Sequence, residues 1–184
     1  MNLPEEKSRK RMLLGADGNA LVNLVVVIAV AFVLLKFIYI IYLLSDLNMA
    51  AYDPNVFNWF AMPASIEKLL SRPWTVVTSL FIHKDVMAMV ANLLWLWLFG
   101  YILQDLTGNR KLVPVFLYGG IAGAIAFTGF SYLLPRLQPL VDSSWYYGSN
   151  AGVMAVAVAT TTVAPDYRLF PMINGGIPLW IISA

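Results

Sequence analysis

The sequence predicts an all-α fold, a polytopic bundle of membrane-spanning helices, and three observations support this class. Hydrophobic residues make up 60% of the 184 residues and charged residues only 12%, whereas about a quarter of the residues in a soluble domain are charged. The mean hydropathy is accordingly high, at +0.72. The apolar residues are also gathered in runs that approach the roughly 20 residues a helix needs to cross a bilayer. We therefore expect four complete transmembrane helices and the start of a fifth.

The first apolar run covers residues 21–44. Basic residues precede it, as in a signal peptide, but the apolar part of a signal peptide has only about 7–15 residues, so we interpret this run as a retained helix. A mixed polar and aromatic stretch follows at residues 45–75 and is typical of a segment at the membrane interface. The other spans are predicted at residues 86–103, 112–134 and 148–163, with a fifth beginning near Ile177.

The distribution of Lys and Arg predicts the orientation of these spans. Seven such residues fall on the side of the amino terminus and four on the opposite side, and positive residues are enriched in cytoplasmic loops. We therefore expect residues 1–20 to form a cytoplasmic amino-terminal segment and residues 21–184 to form one membrane domain, incomplete at its carboxyl end. The expected surroundings are a lipid bilayer, specifically a bacterial inner membrane that the chain crosses several times.

Composition argues against several classes of function. The net charge is only +2, so no strongly basic surface indicates a nucleic-acid partner. The sequence has no cysteine and one histidine, His83, which leaves disulfides and Cys/His zinc sites without ligands. We expect no metal and no cofactor. A small channel or transporter is the least favoured interpretation, because among the spans only Lys36 offers an ionisable residue, and its long side chain can reach the interface.

The fourth span is short and consists mainly of small residues, GSNAGVMAVAVATTTV. Small side chains let helix backbones approach closely, so we expect this helix in the middle of the bundle. Sixteen residues give about 24 Å of helix, less than the roughly 30 Å hydrocarbon core. Gly148, Ser149 and Asn150 at its outer end are therefore a candidate cavity floor, where helix N–H groups would stabilise a developing oxyanion. The alternative is a glycine-rich start that serves packing alone.

The second span contains one polar residue, Asn92. Polar groups inside a membrane usually face the bundle interior or a cavity. Ala88 lies four residues earlier and shares the helical face of Asn92. His83, next to Lys84 and Asp85, is interpreted first as a helix-entry residue near the interface rather than as a catalytic residue.

Four segments, in this order and spacing, resemble a known family, the rhomboid intramembrane serine proteases. They are RPWTVVTSLFIHKD, VMAMVANLLWLWLFGYILQDLTG, the glycines of YGGIAG and the segment YYGSNAGVMA. The resemblance implies a rhomboid-like helix bundle in which a Ser–His dyad cleaves transmembrane segments of other proteins. It also implies that Asn92 corresponds to an asparagine that helps to stabilise the oxyanion, and that Gly148 corresponds to the glycine of the nucleophile motif.

The sequence departs from the family pattern at the catalytic positions. Asn150 falls on the nucleophile, and Ala88 falls on the histidine that contributes to the oxyanion site. The resemblance further implies a sixth helix that carries the histidine base, and we expect that helix to be missing. Ser149 is one residue from the nucleophile position, which is a rotation of about 100° on a helix, and we expect its hydroxyl to cap the fourth helix.

Two hypotheses therefore remain, and the sequence leaves open whether the chain is an enzyme. The first is a catalytically altered and truncated rhomboid-like protein without peptidase activity, which binds transmembrane segments of client proteins. The second is an active protease that uses Ser149 and a histidine not yet identified.

Overall fold

The computed structural model of this protein describes residues 19–45 and 48–165 and two short strands at 168–169 and 177–178. Within this part of the chain, three helices are long and apolar enough to cross a membrane, and a fourth apolar helix is shorter. The prediction of an all-α membrane bundle is confirmed. The four helices are α1 (Ala20–Leu44), α5 (Val86–Thr107), α6 (Asn109–Leu133) and α7 (Asn150–Val163).

Short elements fill the connections between the long helices. The segment between α1 and α5, which we call the first loop, contains α2 (Tyr52–Asn55), α3 (Ile66–Ser71) and α4 (Thr75–Thr78). Its strand β1 (Met62–Pro63) pairs antiparallel with β2 (Trp145–Tyr146), which directly precedes α7. A second antiparallel pair joins β3 (Arg168–Leu169) to β4 (Ile177–Pro178). Single 3-10 turns lie at Met49–Ala51, Phe57–Trp59 and Gln138–Leu140.

Local sequence explains where the long helices begin and end. Asn19 caps α1, because its Oδ1 accepts from the backbone N–H groups of Leu21 and Val22, and Asp85 caps α5 in the same way. Side-chain oxygens at these positions satisfy N–H groups that have no partner inside the helix. Gly108 separates α5 from α6 with a φ of 83°, a left-handed conformation that glycine adopts without steric cost.

Helix α7 lies between α5 and α6, as its small residues predict. A Cβ atom added to Gly119 of α6 would lie only 2.0 Å from the Cβ of Ala155, so the two helices are as close as their backbones allow. On the other side, the Thr160 hydroxyl of α7 lies 3.1 Å from the Phe99 carbonyl of α5 and 2.7 Å from the Val156 carbonyl of its own helix, and its proton is shared between them. Hydrogen bonds between helices are one way in which membrane bundles associate.

The buried core joins all four long helices. Its largest buried side chains come from α1, α5 and α6, and α7 contributes smaller ones: Leu21, Ile28, Leu96, Phe99, Leu112, Phe116 and Val156. A polar contact fixes α1 to α5 near one end, since the Gln104 amide donates to Asn19 Oδ1 at 3.1 Å. A smaller apolar cluster packs α1 against the first loop around Tyr52 and Phe57.

The observed elements differ from the predicted spans at several ends. Helices α5 and α6 extend beyond their apolar runs to Thr107 and back to Asn109, because backbone hydrogen bonding does not stop where a run becomes polar. Helix α7 starts at Asn150 rather than at Gly148. The fifth span was expected near Ile177, but Ile177–Pro178 is an extended strand, and the rest of that predicted span lies outside the described residues. The interfacial location of residues 45–75 stays a prediction.

Candidate functional site

The approach to α5 buries the single histidine of the chain. Leu80 and Ile82 are apolar and lie in the core, and they carry the segment between α4 and α5 inward. Leu80 packs against Gly120 of α6, where a Cβ atom would lie 2.5 Å from a Leu80 methyl carbon. His83 follows directly and is only 4% exposed. The histidine is thus held inside the bundle by the apolar residues before it.

A turn at Gly148 brings the start of α7 to this histidine. Gly148 has a φ of 102°, which strains any residue with a side chain. Its N–H donates to the Ser79 carbonyl at 2.8 Å and so ties the turn to the segment that carries His83. Ser149 follows as the N-cap residue of α7 and is completely buried.

Four side chains meet at this point in a continuous polar network. The His83 Nε2 atom lies 3.2 Å from the Ser149 hydroxyl and 3.2 Å from the Asn92 Nδ2 atom. The Asn92 amide also donates to Oδ1 of Asn150. Asn92 is 8% exposed, whereas Asn150 is exposed at the amino end of α7. The network therefore runs from a buried serine to an accessible amide.

The donors around His83 determine its protonation state. The backbone N–H of Ser149 donates to His83 Nε2 at 3.3 Å, so Nε2 carries a lone pair and the neutral ring holds its proton on Nδ1. Burial lowers the pKa of His83 below its usual value, although a backbone hydrogen bond with Phe81 opposes this shift. Both observations favour a neutral imidazole. Among the described residues, Nδ1 is a buried atom without a hydrogen-bond partner of good geometry.

The structure brings together four of the five site residues proposed from the sequence. Gly148 forms the turn, Ser149 and Asn150 start α7, and Asn92 faces them from α5, so the prediction that Asn92 faces the bundle interior holds. Ala88 lies one turn before Asn92 on α5 but is exposed, and its N–H donates to the Asp85 carboxylate. An alanine offers no polar group to this site.

One expectation about the site is wrong, and another is incomplete. We expected the Ser149 hydroxyl to cap α7, but it makes no such bond and lies against His83 instead. We also expected His83 to be a helix-entry residue near the interface. It does precede α5, yet it is buried and contacts both Ser149 and Asn92. Sequence spacing missed this contact, because His83 precedes the helix and its position depends on the burial of Leu80 and Ile82.

The chemistry available at the site comes from neutral groups. The first N–H groups of α7 have no intrahelical acceptor and lie at the positive end of the helix dipole, where they favour a negative charge. The Asn92 amide adds a side-chain donor. Within the described residues, no cluster of three or more metal-ligating side chains forms. The arrangement suits stabilisation of an anion or of a carbonyl oxygen.

These features define a multi-pass membrane protein with a polar site at the amino end of a short central helix. Comparison with known protein families identifies the family to which this protein belongs. The Rhomboid domain matches residues 70–182, which is well over half of the chain. The chain belongs to the rhomboid family.

Individual relatives agree with this assignment. The chain is similar to rhomboid protease GlpG of Yersinia pestis (strain Pestoides F), with 25% identity over 155 residues that cover 82% of this chain and 51% of that protein. It is also similar to presenilin-associated rhomboid-like protein A, mitochondrial, of Danio rerio, with 29% identity over 94 residues that cover 51% of this chain and 23% of that protein. The chain thus spans about half of the GlpG relative and about a quarter of the zebrafish one.

Proposed function

We propose that this chain is a rhomboid-family membrane protein that binds transmembrane segments of other proteins without cleaving them. The observation that carries the proposal is the exposed Asn150 at the start of α7, the residue that the family resemblance aligns with the nucleophile. A carboxamide has no hydroxyl or thiol that a base can activate. Its Oδ1 is also engaged by Asn92.

The oxyanion position on α5 supports the same proposal. The family resemblance aligns Ala88 with a histidine, and the alanine methyl group cannot donate a hydrogen bond. Loss of one oxyanion donor costs about 10²–10³ in rate. Substitution at two positions that act together therefore leaves a site that retains its fold and its polar groups but lacks the chemistry of peptide hydrolysis.

The alternative function, an active protease that uses Ser149, is favoured by one observation. The Ser149 hydroxyl lies 3.2 Å from His83 Nε2, within the distance expected of a nucleophile and its general base. Two features argue against it. Ser149 is 0% exposed, so no peptide bond reaches its hydroxyl without a rearrangement, and His83 Nε2 already accepts the Ser149 backbone N–H.

A serine-directed fluorophosphonate probe distinguishes the two functions. The purified chain is incubated with the probe and, separately, with a labelled model transmembrane substrate, with Yersinia GlpG as the positive control. We expect no covalent adduct and no cleavage. An adduct that forms on this chain and disappears in both Ser149→Ala and His83→Gln variants would establish the alternative.

Binding of a transmembrane segment needs a separate measurement. Met154 is exposed on α7 one turn after Asn150, so a photo-crosslinking residue at this position reports on a helix that docks beside the site. Tyr118 is exposed on α6 and serves as the matched control position. We expect a model transmembrane peptide in liposomes to crosslink at position 154 and not at 118. Equal yields at the two positions would contradict binding at the site.

A further inference from the structure

A cavity of about 260 Å³ lies between α1 and the first loop and reaches His83. We call it the α1 cavity, and its polar lining consists of Lys36, Tyr39, Tyr52, Asp53, His83 and Lys84. The two lysines outnumber the one carboxylate. With a neutral His83, the cavity carries an excess of one positive charge.

Lys36 is the cation without a counter-charge. It lies eight residues before the end of α1, which is about 12 Å along the helix axis. Its ammonium group sits between the rings of Phe32 and Tyr39, at 5.6 and 5.2 Å from their centroids. In the part of the chain that the structure describes, no carboxylate forms an ion pair with it. The long side chain of Lys36 can carry this charge toward the interface, where lipid phosphates supply counter-charges.

The other polar groups of the cavity also offer donors. Lys84 binds Asp53 at 2.9 Å and lies 4.5 Å from the centre of the Phe57 ring. His83 is 96% buried, and its Nδ1 atom has no hydrogen-bond partner of good geometry among the described residues. A buried donor without a partner is rare in folded proteins and calls for a ligand or water. Lys36 and His83 thus both lack a well-placed acceptor at one cavity.

An apolar groove of about 300 Å³ continues the α1 cavity toward the middle of α1. Its lining residues are Ala31, Leu34, Leu35, Ile38, Phe60 and Ile82. Leu35 lines both spaces, and Ile82 precedes His83 in the chain. Ala31 and Leu34 are farther from the end of α1 than Lys36 is. The groove therefore overlaps the cationic part along α1 and extends about one helical turn farther toward the middle of the span.

We propose that the α1 cavity and this groove bind one anionic phospholipid. The phosphate group is the acceptor for Lys36, Lys84 and the Nδ1–H of His83, and one acyl chain lies along Leu34, Ile38 and Phe60. A lipid fits better than a free anion, because the apolar groove has the orientation of an acyl chain that points into the bilayer. The bound lipid would thus contact the same histidine that holds Ser149 and Asn92.

Native mass spectrometry of the intact chain in detergent tests the proposal. The chain is titrated with phosphatidylglycerol and with phosphatidylcholine that carries the same acyl chains. We expect one phosphatidylglycerol to bind about fivefold or more tightly than phosphatidylcholine, and Lys36→Gln to remove this preference. Lys36→Arg keeps the charge and should keep the preference. Lys68→Gln is the matched control, because Lys68 is exposed, is paired with Asp142 and does not line the cavity.

Further experiments distinguish lipid binding from the binding of other anions and from an effect on folding. Ala31→Phe fills the groove and should weaken lipid binding without altering the thermal unfolding of the lipid-free chain. Inorganic phosphate should not displace phosphatidylglycerol. The proposal is overturned if the two lipids bind equally, or if the Lys36→Gln variant binds phosphatidylglycerol like the unmodified chain. It is also overturned if inorganic phosphate displaces phosphatidylglycerol, because that result would indicate a site for free anions. Should Lys36→Gln fail to fold, Lys36→Arg and Ala31→Phe still give opposite expected results.

Discussion

At the scale of single residues, the properties of the site depend on the side chains of Ser149 and Asn150, which are neighbours in the chain but point in different directions. Successive residues at a helix start are rotated by about 100°. The serine hydroxyl consequently lies inside the bundle against His83, while the asparagine amide is exposed and bonded to Asn92. The hydroxyl near a base is thus inaccessible, and the accessible group is not a nucleophile.

The protonation of His83 gives a prediction about stability and pH. Burial lowers the pKa of His83 in the folded chain. As the pH falls, the imidazole is therefore protonated in the unfolded chain at a higher pH than in the folded chain. The neutral imidazole of His83 therefore contributes fully to the stability of the folded chain above the usual imidazole pKa of about 6.5, and this contribution is lost as the pH falls below that value. We expect the thermal unfolding midpoint to decrease between about pH 7.5 and 5.5.

The matched control for this prediction is His83→Gln. His83 is the only histidine of the chain, so its replacement should flatten the pH dependence in this interval even if the midpoint itself falls. A pH dependence that is the same in the variant would show that another group is responsible.

Asn92 gives a second prediction at this scale. Asn92→Ala removes the donor to Asn150 and to His83, which should lower the free energy of unfolding by about 1–3 kcal/mol. Chemical or thermal unfolding in detergent measures this change. Asn23→Ala is the control, because Asn23 is an exposed asparagine of another spanning helix, α1. Equal effects of the two substitutions would mean that the polar network contributes nothing specific.

At the scale of elements, the contact between α6 and α7 places the site. Glycines on α6 face alanines on α7, and Cβ atoms added at Gly119 and Gly123 would lie 2.0 and 2.3 Å from the Cβ atoms of Ala155 and Ala151. The amino end of α7 cannot shift away without opening this contact. Small residues thus hold Ser149 and Asn150 at their distances from α5.

The contact predicts opposite results for two glycines of α6. Gly119→Ala should force the helices apart and destabilise the chain by about 1–3 kcal/mol, as overpacking does. Gly129→Ala introduces the same methyl group where nothing lies within 4 Å, and it should be neutral or stabilising because alanine favours a helix. Thermal unfolding of both variants tests the contact. A loss of stability at position 129 equal to that at 119 would contradict it.

At the scale of the whole molecule, the orientation in the membrane is open to a direct test. The basic residues predict a cytoplasmic amino terminus. The sequence contains no cysteine, so a single introduced cysteine is the only thiol in the chain that a maleimide can label. We expect a membrane-impermeant maleimide to label Ser143→Cys on intact cells and Ser8→Cys only after permeabilisation. Ser143 lies in the exposed connection between α6 and α7. The reverse labelling pattern would invert the predicted topology.

Much of the fold could be predicted from the sequence because a bilayer restricts the chain. Backbone groups within hydrocarbon must bond to one another, so each long apolar run specifies a helix, and α1 matches its predicted run within one residue. The small residues of the fourth span likewise predicted its central position. The ends of α5 and α6 were predicted less well, since polar residues beyond the apolar run continue the helix.

The sequence predicted only those residues of the site that stand out in a local sequence pattern. Asn92 was found as a polar residue in an apolar span, and Gly148, Ser149 and Asn150 were found at the start of a short helix. The contacts of His83 were not, because nine residues separate it from Asn92 and 66 from Ser149. Such contacts depend on how α5, α7 and the segment before α5 pack together.

The sequence by itself determined the membrane class, the long helices and the polar residues Asn92, Ser149 and Asn150 as candidates, because these follow from composition, apolar runs and local motifs. Only the tertiary structure decided which polar groups meet. Packing of Leu80 and Ile82 buries His83, and the turn at Gly148 delivers the Ser149 hydroxyl to it rather than to the helix cap. A hydrogen bond needs atoms within about 3 Å, and that proximity arises from the packing of elements far apart in the chain.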